Sequence, residues 1–112
     1  IAVSNYTQPG DPMKIDFGYR VADELKFLQV VSMRASVDHA VVLAARFPAI
    51  AAGARNKHGA EASLIAVVED DLDRKRDEVG FALGMLEENR IRVATTAELP
   101  SIAEQARLEL RA

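Results

Sequence analysis

The chain has 112 residues, 49% hydrophobic and 28% charged, a globular balance that excludes wholesale disorder and gives one domain's worth of core. Cys is absent, which removes disulfides, thiolate metal sites and a cysteine nucleophile. The formal net charge of −3 divides into +2 over residues 1–60 (seven Lys/Arg against five Asp/Glu) and −5 over residues 61–112 (seven against twelve), and leaves no basic stripe for nucleic acid.

The opening stretch, IAVSNYTQPGDPMKIDFGYR, alternates apolar and polar residues at Ile1 and Val3 and again at Ile15, Phe17 and Tyr19. Between them lie the turn signals Pro9-Gly10 and Asp11-Pro12. A period of two around such turns reads as a β-hairpin or as an extended arm lying on a partner. Residues 1–20 are therefore set apart from a helical domain over residues 21–112.

Val21 to Phe47 reads as a long helix. Asp23 and Glu24 stand in its first turn, where the helix dipole favours negative charge. Leu25, Leu28, Ala35 and Val42 make one stripe, widened by Phe27, Val31 and Val41. Ser36 and Asp38 are capping residues that could divide it. Pro48 is expected to end it, and Pro48–Gly59 to form the connection.

Ala60–Asn89 carries the longest helical pattern. Ile65, Leu72, Val79 and Leu86 recur every seventh residue, the seam of a helix packed lengthwise on another. At about 100° per residue, Val67, Phe81 and Met85 point nearly opposite to that seam. Two apolar faces predict two neighbours. Gly80 and Gly84, costly in a helix interior, are expected where another backbone approaches closely. Ile91–Ala94 then reads as a short extended piece. A final helix follows, with capping-box matches at Thr95/Glu98 and Ser101/Glu104 and an apolar stripe of Leu99, Ile102, Ala103, Ala106 and Leu110.

The fold expected from these patterns is mainly α: an antiparallel long-helix hairpin plus a C-terminal helix, with an extended or β-hairpin N-terminal segment. The run Glu69-Asp70-Asp71-x-Asp73 followed by Arg74-Lys75-Arg76 reads as a solvated ladder of i, i+4 ion pairs, since successive helical residues cannot converge on one cation. His39 and His58 lack the Glu three residues earlier that a bundle metal site uses. No nucleophile elbow or phosphate-loop motif is present. No catalytic residue, cofactor or metal is therefore assigned.

The expected function is non-enzymatic: a protein–protein interaction or assembly subunit, self-associating or binding another protein. The interface would be Phe27, Val31 and Val41 on the first helix and Val67, Phe81 and Met85 on the second. The alternative is a small regulatory module that binds an anion or acidic partner. It would use Arg55, Lys57 and His58 in the Gly53–Gly59 loop, read as the approach to a helix N-terminus. Nucleic acid and membrane are not expected partners. With no visible signal peptide or membrane span, the expected location is the cytoplasm.

Overall fold

A computed structural model describes residues 1–111. The regular elements in order are β1 (Phe17–Val21), β2 (Glu24–Val30), α1 (Asp38–His58), β3 (Glu61–Val68), α2 (Asp77–Glu88), β4 (Arg92–Thr95) and α3 (Leu99–Arg111). Single 3₁₀ turns at Val3–Asn5 and Thr96–Glu98 precede β1 and α3. The strands form one sheet in the order β1-β2-β3-β4. β1 is antiparallel to β2, and the remaining pairs are parallel.

The mainly helical expectation is overturned: the protein is an α/β fold with a four-stranded mixed sheet, and among the described residues there is no long antiparallel helical hairpin. The stretch read as one helix from residue 60 to 89 is β3, a loop and α2. The cause lies in Leu64–Val68, an unbroken apolar run rich in β-branched residues. A central parallel strand is buried on both faces and shows such a run rather than alternation. In β3, Leu64, Ala66, Val67 and Val68 are all buried, and the seven-residue recurrence of Ile65, Leu72, Val79 and Leu86 joins a strand, a loop and a helix.

The stretch read as a helix from residue 21 to 47 likewise divides. Its first part is β2, where Leu25, Phe27 and Gln29 are buried and alternate with less buried neighbours. A two-residue turn, Ala22-Asp23, joins β1 to β2, with Ala22 at φ 52°. Its second part opens α1. The Asp38 amide donates to Ser36 Oγ at 3.1 Å at the start of that helix. Pro48 does not end α1 but lies within it. The helix runs through the expected connection to His58 and stops at Gly59, φ 61°, whose left-handed conformation closes the last turn.

Both parallel crossovers, through α1 and α2, step in the same direction across the sheet. Right-handed connections of that kind place both helices on one face. The core lies there: Leu25, Phe27, Leu64, Ala66 and Val68 from the sheet, with Val31 just after β2, meet Leu43, Phe47 and Ile50 of α1 and Val79, Ala82 and Leu86 of α2. The buried Gln29 is satisfied, its Oε1 accepting the Asp16 amide at 2.8 Å.

The N-terminal segment folds onto the same core. An isolated antiparallel bridge joins Ala2 to Lys14, and Val3 and Ile15 are fully buried. The Asp11 carboxylate accepts from the Thr7 hydroxyl at 2.6 Å and the Met13 amide at 3.1 Å, and pairs with Arg46 of α1. The Arg46 guanidinium, with those hydrogen bonds, holds Asp11 well below the usual carboxylate range. The boundary expected after residue 20 falls inside β1. Among the described residues no helix is long and apolar enough to cross a membrane.

Candidate functional site

With α1 and α2 on the first face, the second face of the sheet is left to α3. The register sets Phe17 beside Leu28, Leu28 beside Ile65 and Ile65 beside Arg92, and two residues back it sets Tyr19 beside Lys26 and Lys26 beside Ser63. Side chains two apart in a strand share a face, so these residues form one surface: an apolar row of Phe17, Leu28 and Ile65 that ends in Arg92 on the β4 edge, and a polar row of Tyr19, Lys26 and Ser63 toward the amino ends of the parallel strands. α3 presents Leu99, Ile102, Ala106 and Leu110 to it, yet only Ala106 of that helix is buried. The helix stands off the sheet and encloses an open groove of about 670 Å³.

A polar clasp fastens the far end of α3. Glu109 Oε2 accepts from the Tyr19 hydroxyl at 2.7 Å, and Glu109 Oε1 accepts from Lys26 Nζ at 2.8 Å and from Gln105 Nε2 at 3.1 Å. These bonds, that of Lys26 foremost, lower the Glu109 carboxyl to about 2. Glu109 in turn raises Lys26. Desolvation, with the Glu109 hydrogen bond second, pushes the Tyr19 phenol up to about 12.

Three arginines also line the groove: Arg90, Arg92 and Arg107. Arg107 is paired with Glu104 of its own helix at 2.6 Å, and Arg92 approaches Glu98 only at 3.8 Å. Arg90, held at φ 60°, has no carboxylate partner among the described residues.

The carboxyl ends of the strands are the usual ligand position in open α/β sheets, and here they carry the acidic run. Its carboxylates are engaged in holding turns. Glu69 accepts the Met33 amide at 2.8 Å, and Asp71 pairs with Arg34 at 2.9 Å. Asp70 takes the Thr96 hydroxyl and the Ala97 amide at 2.9 and 3.0 Å, and Asp73 accepts the Lys75 amide at 3.0 Å. The expected helical ladder of Asp70 with Arg74 and Asp71 with Lys75 is replaced by this strand-to-helix connection. Among the described residues no three His, Asp or Glu side chains are grouped to hold a metal ion.

The six expected interface residues are dispersed. Phe27 and Val31 are buried in the core under α1 and α2, and Val67 is buried on the second face. Val41 and Met85 are half-buried against the core, and Phe81 stands 63% exposed on α2. Gly80 and Gly84 meet no close backbone: the nearest atom to an added Cβ at Gly80 is the Arg74 carbonyl oxygen at 3.9 Å, and Gly84 faces open space.

Arg55, Lys57 and His58 occupy the last turn of α1, at a helix C-terminus, not a loop leading to an N-terminus. Arg55 pairs with Glu61 at 3.1 Å, Lys57 donates to the Thr7 carbonyl, and His58 Nε2 lies 3.1 Å from the Asn5 carbonyl. These are ties between α1, β3 and the N-terminal loop. Sequence reasoning missed Tyr19, Lys26 and Glu109. The available signal was Glu109 itself, a carboxylate on the stripe that continues from Leu99, Ile102 and Ala106 at helical spacing.

No family profile, curated protein or solved structure matches this chain.

Proposed function

We propose that this chain is a non-enzymatic assembly module that pairs with a second copy of itself through the outer surface of α3. The observation carrying the reading is Leu108, 51% exposed on the side of α3 turned away from the groove. It lies on one helical stripe with Glu104 and Arg111. A two-fold axis near Leu108 sets two antiparallel copies of α3 with Glu104 of each opposite Arg111 of the other, the self-complementarity that an isologous contact requires. Leu110 at 57% and Phe17 at 48% exposure stand at the groove mouth, on the other side of α3, and take no part in this contact. The engagement of the strand-end carboxylates in turns supports a non-enzymatic role.

Light scattering across a concentration series tests the proposal. The wild-type chain is expected to be dimeric at tens of micromolar. Leu108→Glu should give monomers with unchanged far-ultraviolet circular dichroism. Glu104→Arg should weaken the dimer, and adding Arg111→Glu should restore it. Phe81→Glu, on the opposite layer of the molecule, should leave it intact. A wild-type chain that stays monomeric at these concentrations defeats the reading. Loss of the dimer in Phe81→Glu alone would move the interface to α2.

A further inference from the structure

We infer that the groove beneath α3 is a binding site for a single-chain amphiphile with an anionic head, a medium-chain carboxylate. The inference is independent of self-association, because it concerns the inner side of α3 and not Leu108. The groove's volume of about 670 Å³ lies in the range of ligand pockets, which run from roughly 300 to 1,000 Å³. Native packing fills a core with its own side chains, and here α3 is held away from the sheet by a satisfied clasp rather than collapsed onto it.

The chemistry of the walls is divided across the groove. Leu28 and Ile65, paired in register, form an apolar floor, and Leu99 and Ile102 face it from the helix. On the β4 edge of that floor the lining changes to Arg92, level with Ile65, and Arg90, two residues earlier in the chain. Glu109 is occupied by Lys26 and Tyr19, so it leaves the arginines their charge. Arg92 is only loosely met by Glu98 at 3.8 Å, and Arg90 has no acidic partner among the described residues. Guanidinium groups bind carboxylates through paired hydrogen bonds. A cationic edge beside an apolar trough therefore selects a molecule built the opposite way, with an anionic head and one apolar tail. The apolar side of α3 from Leu99 to Leu110 spans about 16 Å, enough to lie along an extended acyl chain of medium length.

The probe is dodecanoate, kept below its micelle concentration, titrated into the full chain and followed by calorimetry and backbone amide shifts. Acetate and dodecyltrimethylammonium are the controls. One dodecanoate per chain should bind saturably, with shifts at Ile65 and Ile102. The cationic amphiphile should bind at least about tenfold more weakly, and acetate not measurably. Arg90→Ala with Arg92→Ala, both exposed, should weaken dodecanoate by roughly tenfold or more, the scale of lost charge-assisted hydrogen bonds. Ala103→Trp places an indole in the groove from an exposed helix position and should abolish binding with helicity retained. Absence of saturable dodecanoate binding overturns the inference, as does equal binding of the cationic amphiphile or full binding by Ala103→Trp. Light scattering on the same samples reads the dimer separately, and the arginine variants should leave it unchanged.

Discussion

Gly53 shows how one missing methyl group joins two parts of this chain. A Cβ there would stand 1.7 Å from the Tyr6 carbonyl oxygen, so the N-terminal loop lies directly on α1. An overlap with backbone cannot be relieved by a side-chain rotation. Gly53→Ala must push the loop away, loosening the buried Val3 and Ile15 and the edge-on contact of Tyr6 with Phe27 at 5.5 Å. The expected loss is about 2–4 kcal/mol, the scale of overpacking plus lost burial. Gly84 gives the opposite sign for the same substitution, because its surroundings are open. Gly84→Ala should gain about 0.5–1 kcal/mol from helix propensity alone. Urea denaturation of the two variants checks both at once, and equal signs would contradict the loop's placement. The sequence marked Gly80 and Gly84 as sites of close approach and passed over Gly53. The determinant is the tertiary position of Tyr6, 47 residues away, which no local pattern encodes.

At the scale of elements, the sequence exposed those whose signals are local. The extended piece before the last helix corresponds to β4, and Thr95 with Glu98 forms the capping box read from their spacing, the Thr95 amide donating to Glu98 at 2.7 Å. The capping residues Ser36 and Asp38 mark the start of α1 inside what looked like one helix. The sheet stayed hidden because β2 and β3 pair in parallel across α1, and a strand covered on both faces loses the alternation that reveals an edge strand. Pro48 misled for a different reason. Proline within a helix forfeits one hydrogen bond and crowds the preceding turn, at about 3 kcal/mol. α1 bears that cost because Leu43, Ala44, Phe47, Ile50 and Ala54 bury its inner face on both sides of the proline. The Pro48 ring itself is exposed, so Pro48→Ala removes the penalty without opening a cavity. It should raise stability by roughly 1–3 kcal/mol, read from the urea midpoint. A loss instead would mean that α1 is built around a kink the core requires.

For the whole molecule, the asymmetry of the two sheet faces matters most. One face carries two helices and the core, while the other has α3, fastened by Glu109 to Tyr19 and Lys26 across more than eighty residues of sequence. The apolar side of α3 was legible from its stripe. The groove was not, since it depends on both crossovers turning to the same side. The clasp also gives the second face a pH dependence of definite sign. Glu109 is lowered from 4.5 to about 2, so its contribution is complete above pH 4.5 and is lost as pH falls toward 2, where the folded state must also take up the proton. On the alkaline side, Tyr19 is raised from 10.0 to about 12, and its contribution is present below pH 10 and fades as pH rises through 12. Other carboxylates, among them Asp11, Asp70 and Glu61, are lowered too, so the acid limb of the wild type alone does not isolate the clasp. Comparison with Glu109→Gln does, because contributions from distant sites cancel in the difference. The urea midpoint of wild type should exceed that of Glu109→Gln by a constant amount from pH 7 to pH 5, and the gap should narrow steadily below pH 4.5. A gap that persists unchanged to pH 2 would show that Glu109 holds α3 through packing of its stem rather than through its charge.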